Sequence, residues 1–305
     1  TTIPAFDSGF PVDFGLLKKP GDATNWTATS RLQGPNYVTP NSTLPEQAGS
    51  AYVWDSNVGY TAVSWADSTL LSWMWKRHAG FDVVTYDGND DSSIGAVNGQ
   101  AVPHSLSKTP EMIWVKHRSP SSSNKDWKVY HKGLNGGTNP EQYHLVINLS
   151  AAEVDSVNIW NDTAPTSTHF TLGNNGDVND TGKKYIAMLF ASVDGISKCG
   201  SYTATGHGGS GSGGGVTVTT GFSPRFILIK NISTGSGTRA NWHVFDTTRG
   251  LTSGNNDPKL YLNTDAAQAN EDWIDPTSTG FTLEANIGND LNYTSGDKYI
   301  YYAHA

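Results

Sequence analysis

Short apolar runs alternate along this chain with stretches of Gly, Asn, Asp, Ser and Thr, and three of those runs read nearly alike. Phe14-Gly15-Leu16-Leu17-Lys18 recurs as Met112-Ile113-Trp114-Val115-Lys116 and as Phe226-Ile227-Leu228-Ile229-Lys230, each time four mostly apolar residues closed by a lysine. In the last copy, Phe226 to Lys230 is apolar on both faces and predicts a central sheet strand. Trp242-His243-Val244-Phe245 predicts the next strand and Lys259-Leu260-Tyr261-Leu262-Asn263 a third. The alternating Gly280 to Ala285 and the run Tyr299 to Ala303 complete the copy, with Pro, Gly, Asn and Asp marking the gaps.

The middle copy repeats this order with Trp127 to Tyr130, Tyr143 to Asn148, His169 to Leu172 and Tyr185 to Phe190. Met112 to Phe226 is 114 positions, Phe170 to Phe281 is 111 and Tyr185 to Tyr299 is 114, so length changes fall in loops. The first copy is more worn: Trp26 to Ala28, Tyr37-Val38, Gly59 to Val63 and Leu70 to Trp75. A lead-in strand precedes the second copy (Phe81 to Gly88) and the third (Gly200 to Gly206), whereas the first has only Thr1 to Ser8 in that place. Two readings of that start stay open: a chain cut from a longer one, or a complete protein whose initiator Met was removed before Thr1. Repetition at this period predicts an array of one unit. The expected architecture is all-β, three antiparallel sandwich modules or one composite assembly of them, the first divergent, over residues 1–79, 80–199 and 200–305. Gly206 to Gly215, with seven glycines, predicts a surface loop in the third module.

Composition supports this picture: 33 Gly among many Thr, Ser, Asn and Asp, with 11% aromatic residues, suits short strands and wet loops. The 20 Lys+Arg against 28 Asp+Glu form no basic stripe, so no nucleic-acid partner is expected. Cys199 stands alone, which excludes an internal disulfide framework and a multi-cysteine zinc site. No apolar run approaches the roughly 20 residues of a membrane helix, so no membrane insertion is expected.

Candidate chemistry is sparse. Glu153-Val154-Asp155 places two carboxylates close in sequence, but they would share a face only on a strand, and the preceding Ser150-Ala151-Ala152 predicts a polar turn or one helical turn. Asp177 to Gly182 and Asn289 to Gly296 gather oxygen ligands of the kind calcium uses, though Asn, Asp and Gly also make tight turns, the reading preferred here. No cofactor is expected. His117, His131 and His144 would form a zinc site only if their strands brought them together. Gly209-Ser210-Gly211-Ser212-Gly213 matches a nucleophile elbow by composition alone, with no preceding strand, and no helix start follows the loop to suit a phosphate cradle. Trp26, Trp127 and Trp242 recur at one position and are expected in the core. Trp54, Trp160 and Trp273 lie in or beside polar loops, where an exposed indole offers an apolar face to a sugar ring, and they are the ligand-binding candidates.

Three strings carry a family resemblance: Trp160-Asn161-Asp162-Thr163-Ala164-Pro165-Thr166-Ser167-Thr168; Ser192-Val193-Asp194-Gly195-Ile196-Ser197-Lys198 followed by Gly200-Ser201-Tyr202-Thr203; and Gly221-Phe222 with Phe226 to Lys230. They resemble a repeated module of unknown function in virion and tail fibre proteins of tailed bacteriophages, especially marine ones. The resemblance is good over 81–305 and loose over 9–78. It implies a lectin-like (concanavalin-like, jelly-roll) β-sandwich and a place on the particle surface, and it brings no catalytic residues. The expected function is therefore a non-enzymatic virion surface protein, a tail fibre, spike or head decoration, presenting modules for host-surface or glycan attachment. Its expected partners are other virion proteins, copies of itself and host glycan. Alternatives are a structural cement working by protein contacts alone and, less favoured, a polysaccharide-degrading enzyme with two facing carboxylates.

Overall fold

The structure is a computed structural model, and it describes residues 6–49, 52–61, 69–90, 99–121, 125–206, 214–254, 256–285 and 288–305. The first segment contains β1 (Phe6–Asp7), β2 (Phe14–Lys18), β3 (Thr27–Ser30), β4 (Tyr37–Val38), β5 (Gly59–Tyr60) and β6 (Leu71–Trp75). The second contains β7 (Phe81–Asp87), β8 (Gln100–Pro103), β9 (Met112–His117), β10 (Lys128–His131), β11 (Tyr143–Val146), β12 (Val154–Asp155), the single turn of helix α1 (Val157–Trp160), β13 (His169–Leu172) and β14 (Lys184–Phe190). The third contains β15 (Ser197–Thr203), β16 (Val216–Thr219), β17 (Phe226–Asn231), β18 (Trp242–Asp246), β19 (Asp257–Tyr261), β20 (Ala269–Glu271), β21 (Ile274–Thr277), β22 (Gly280–Leu283) and β23 (Lys298–His304). The chain is thus all-β, as its alternating pattern predicts, and its sheets are antiparallel.

Strand order follows one rule. The large sheet of the second segment runs β7-β14-β9-β10-β11-β12 and that of the third runs β15-β23-β17-β18-β19-β20. Both begin with the lead-in strand, then the last strand of the segment, then the strand that carries the recurring lysine, Lys116 or Lys230. The first segment has β6-β2-β3-β4 in the matching places, with the bridge Tyr37↔Gln47 extending it. Each segment also has a small sheet: β1 with β5, β8 with β13, and β16 with β22 and β21.

The strands that carry the recurring lysine are apolar on both faces because each large sheet lies between two cores. Alternate residues Ile113 and Val115 of β9, with Phe170 and Leu172 of β13, form a local core. Ile227 and Ile229 of β17, with Phe281 and Leu283 of β22, form another, and Leu17, Tyr52, Trp54 and Tyr60 a third. The intervening residues Phe14, Leu16, Met112, Trp114, Phe226 and Leu228 all enter one common core together with Trp26, Trp127 and Trp242. Burial of each such side chain stabilises by roughly 1.5–3 kcal/mol. The common core makes one body of the three segments, and Phe226 touches Trp73 and Trp75 across segment boundaries at 6.4 and 5.5 Å between ring centroids.

The structure corrects two expectations from the sequence. The boundary at 199/200 cuts through β15, which starts at Ser197. Phe6–Asp7 pairs with Gly59–Tyr60, so the start of the chain corresponds to β8 and β16 and not to the lead-in strands β7 and β15. At Gly15 of β2 a Cβ would stand 2.5 Å from the Tyr60 hydroxyl, so the close approach of that ring requires glycine there. Most of the Gly206–Gly215 stretch, residues 207–213, lies outside the described residues, as does the Gly-x-Ser-x-Gly match.

Candidate functional site

The chemistry that recurs lies at the seams between segments. Trp26, Trp127 and Trp242 stand at or beside the start of β3, β10 and β18, each with its backbone N–H donating 2.9 Å to an Asn side chain: Asn41, Asn148 and Asn263 respectively. Each Asn amide in turn donates to the residue before the Trp, Asn25, Asp126 or Asn241, at 2.7–2.8 Å. Held this way, each indole Nε1 reaches a carbonyl of another segment. Trp26 donates to Tyr261 at 2.8 Å, Trp127 to Thr39 at 2.9 Å and Trp242 to Val146 at 3.0 Å. The three bonds run in one rotational sense, first to third, second to first, third to second, and so close a ring.

Two further sets of bonds follow the same ring. The carbonyls of Pro20, Arg118 and Ile232, each two residues past Lys18, Lys116 or Lys230, accept from the backbone N–H of Gln268, Glu46 and Glu153 at 2.7, 2.9 and 3.1 Å. The lysine ammonium groups are buried among carbonyls. Lys18 Nζ donates to Asp22, Thr24 and, across the seam, Asp265 at 2.9 Å. Lys116 Nζ donates to Lys125 at 2.6 Å and to Ser42 across the seam at 3.5 Å. Lys230 Nζ donates to Asn231, Ala240 and, across the seam, Ser150, at 2.8, 2.6 and 3.0 Å.

Burial lowers the pKa of Lys18 and Lys116 to about 8, opposed in part by Asp265 and Asp22 for the first and Asp126 and Asp177 for the second. Burial lowers Lys230 to about 7. An ammonium whose protons are aimed at peptide oxygens is a clamp on backbone. At the seam of the first and second segments, Arg118 Nε donates to Glu46 Oε2 at 2.6 Å and Nη2 to Oε1 at 3.1 Å. Burial raises the Glu46 carboxyl, but hydrogen bonds from Arg118, Gln33 and Asn36 outweigh it and hold the group below its ordinary value.

The first segment carries a recess beside Lys18. It has a volume of ≈ 270 Å³ and is lined by Lys18, Lys19, Asp22, Thr24, Asn25 and Leu70. Asp22, Thr24 and Asn25 are exposed, and Leu70 supplies a buried apolar wall. A carboxylate, a hydroxyl and an amide around an apolar patch match the groups that hold a polyhydroxylated ligand. A shallower, more polar recess of ≈ 380 Å³ lies between Thr85, Tyr86, Asp87, Arg118 and Lys184.

The structure does not leave the three predicted aromatics free. Trp54, Trp160 and Trp273 are only 8, 2 and 6% exposed, so none offers an indole face to a sugar. Trp54 stacks on Tyr60 at 4.6 Å with its Nε1 donating to Gly34, Trp160 meets Tyr130 edge-on, and Lys259 Nζ stands 3.5 Å from the ring centroid of Trp273. They belong to local cores, as burying an indole in a thin sandwich demands.

Val154–Asp155 is a strand and not the expected turn, and Glu153 Oε2 is engaged by the Asn135 N–H at 2.6 Å. In the calcium-like segments the side chains serve backbone: Asn179 donates to Gly173, and Asn289 donates to Trp273 and Glu284. Among the described residues no three His, Cys, Asp or Glu gather as a metal would require. His117 ends β9 opposite Tyr185, His131 ends β10 opposite Met112 at the other end of β9, and His144 lies on β11. The seam Asn residues escaped the sequence reading, although Asn41, Asn148 and Asn263 each follow the third strand of a copy. The lysines were visible as strand endings, but nothing local distinguishes a seam clamp from a solvated strand end.

The chain belongs to a family described as a domain of unknown function, DUF7483, whose sequence model matches residues 9–305. No curated protein and no solved structure matches it.

Proposed function

We propose that this protein is a surface component of a bacteriophage particle, non-catalytic, built as three copies of one sandwich module closed into a pseudo-threefold body, and working chiefly through protein contacts as a decoration or adaptor. The ring of seam bonds supports the three-copy reading, since three kinds of bond repeat with equivalent residues. The resemblance of 81–305 to virion modules supports the location. The observation that carries the choice of protein contacts over sugar stacking is the burial of Trp54, Trp160 and Trp273. Particles purified through a density gradient are expected to contain the chain at fixed stoichiometry, located at the surface by antibody labelling; its absence from the particle ends this reading.

A second reading, host-glycan attachment, is supported by the recess beside Lys18 with its exposed Asp22, Thr24 and Asn25. A glycan array probed with the isolated chain and with Asn25→Ala tests it. Loss of an array signal in the variant is expected, and a signal unchanged by Asn25→Ala moves the site elsewhere.

A further inference from the structure

The open edge of β6 is where the first sheet departs from its two counterparts. In the second sheet β14 is covered along its length by β7, from Lys184↔Asp87 to Phe190↔Phe81. In the third, β23 is covered in the same way by β15, from Thr203↔Lys298 to Ser197↔His304. β6 pairs with β2 on one side, and among the described residues no strand lies on the other. Its residues Leu71 to Met74 are half-buried, whereas Ile186 to Phe190 and Ile300 to Ala303 are buried. The N–H groups of Ala191 and Ala305 donate to Gly80 and Ile196 at the start of the covering strands, and Lys76, in the matching place, donates to no backbone carbonyl among the described residues. Alternation along an antiparallel strand turns the N–H groups of Ser72 and Met74 to that same edge.

We propose that β6 takes up an extended strand from another polypeptide, antiparallel and about seven residues long, completing the first sheet by β-augmentation. This inference concerns the edge alone and holds wherever the protein resides. The chemistry of the strand follows from the two that occupy the equivalent edges, Phe81-Asp82-Val83-Val84-Thr85-Tyr86-Asp87 and Ser197-Lys198-Cys199-Gly200-Ser201-Tyr202-Thr203. Positions one and three are buried in both, with Phe81, Val83 and Cys199 entering the common core, and they would sit opposite Trp75 and Trp73. Position six is Tyr in both, stacked on Tyr185 or Tyr299 at 5.1 and 4.9 Å. Here it would meet Leu70, an apolar wall of the recess. Positions five and seven are exposed in both. The fitting partner thus offers apolar or small residues at one and three, an aromatic at six and polar residues toward solvent.

The test uses the whole chain and synthetic peptides bearing the Phe81–Asp87 and Ser197–Thr203 sequences. Controls are scrambled versions and versions N-methylated at the second, fourth and sixth amides, those that face β14 or β23 in the native sheets. The unmodified peptides are expected to slow amide exchange at Ser72 and Met74 by about tenfold or more and to change the fluorescence of the adjacent tryptophans, while the controls do neither. Three results overturn the proposal: exchange at those amides already slow without peptide, which means the chain covers its own edge; a dimer whose dissociation frees them, which makes a second copy the occupant; or no protection from either peptide.

Discussion

Replacing Trp242 tests whether the three segments stand or fall together. Its ring lies in the common core at 1% exposure, and its Nε1 satisfies the Val146 carbonyl of the second segment. Trp242→Ala removes a fully buried indole, a loss of about 3–5 kcal/mol, and orphans a buried carbonyl, about 1–3 kcal/mol more. The sum of roughly 4–8 kcal/mol is comparable with the entire stability of many domains, so the informative variant is Trp242→Phe. It keeps most of the packing, loses the donor and should cost about 2 kcal/mol. Urea unfolding followed by circular dichroism should show one transition displaced to lower urea with an unchanged slope. Native-state hydrogen exchange should accelerate at Leu16 in β2 and Val115 in β9 as much as at Val244 in β18, by up to about thirtyfold. Faster exchange confined to 226–305, or separate unfolding steps, would refute the shared-core argument.

Other outcomes follow from the seams. For Lys230, the unfolded chain keeps its proton up to 10.5 while the folded amine loses it near 7, so between those values the unfolded state binds more protons and stability rises with pH. The stability of the native protein relative to Lys230→Met should therefore climb by up to about 5 kcal/mol from pH 7 to pH 10.5; a flat difference in urea titrations would show that the carbonyls hold the proton. Because the Glu46 carboxyl titrates below its unfolded value of 4.5, its contribution is present above that pH and lost as pH falls through the folded value. Glu46→Gln should accordingly cost about 2 kcal/mol at neutral pH and progressively less as pH falls below 4.5, measured by urea unfolding across an acid series. Asn41→Ala, Asn148→Ala and Asn263→Ala should each cost about 1–3 kcal/mol, and calorimetry giving widely unequal losses would argue against equivalent roles.

Much of the fold was legible because period-two patterning and turn residues are local signals. Phe226 to Lys230 is apolar on both faces, and the strand found there is buried on both. What the pattern does not carry is the identity of the second core. Ile227 and Phe226 look alike in sequence, yet one faces its own sandwich and the other a core drawn from all segments. Trp54, Trp160 and Trp273 misled because polar neighbours in sequence do not decide burial: a loop residue folds back under its own sheet when the local core lacks volume. The counterpart of β7 and β15 was misplaced at Thr1 to Ser8 because two residues of strand carry too little pattern to reveal their partner, β5.

The ring of seam bonds also sets the order of events during synthesis. Its bonds join residues 88, 96 and 235 positions apart, and the last of these, Trp26 to Tyr261, awaits nearly the whole chain. Until the third segment leaves the ribosome, Phe14, Leu16, Met112 and Trp114 have a face prepared for partners that do not yet exist. Contacts so distant in sequence slow folding and prolong the exposure of apolar surface. The geometry that joins the three segments at one core is therefore expected to leave the nascent chain in need of holding factors and prone to aggregation when translation stalls between the second and third segments.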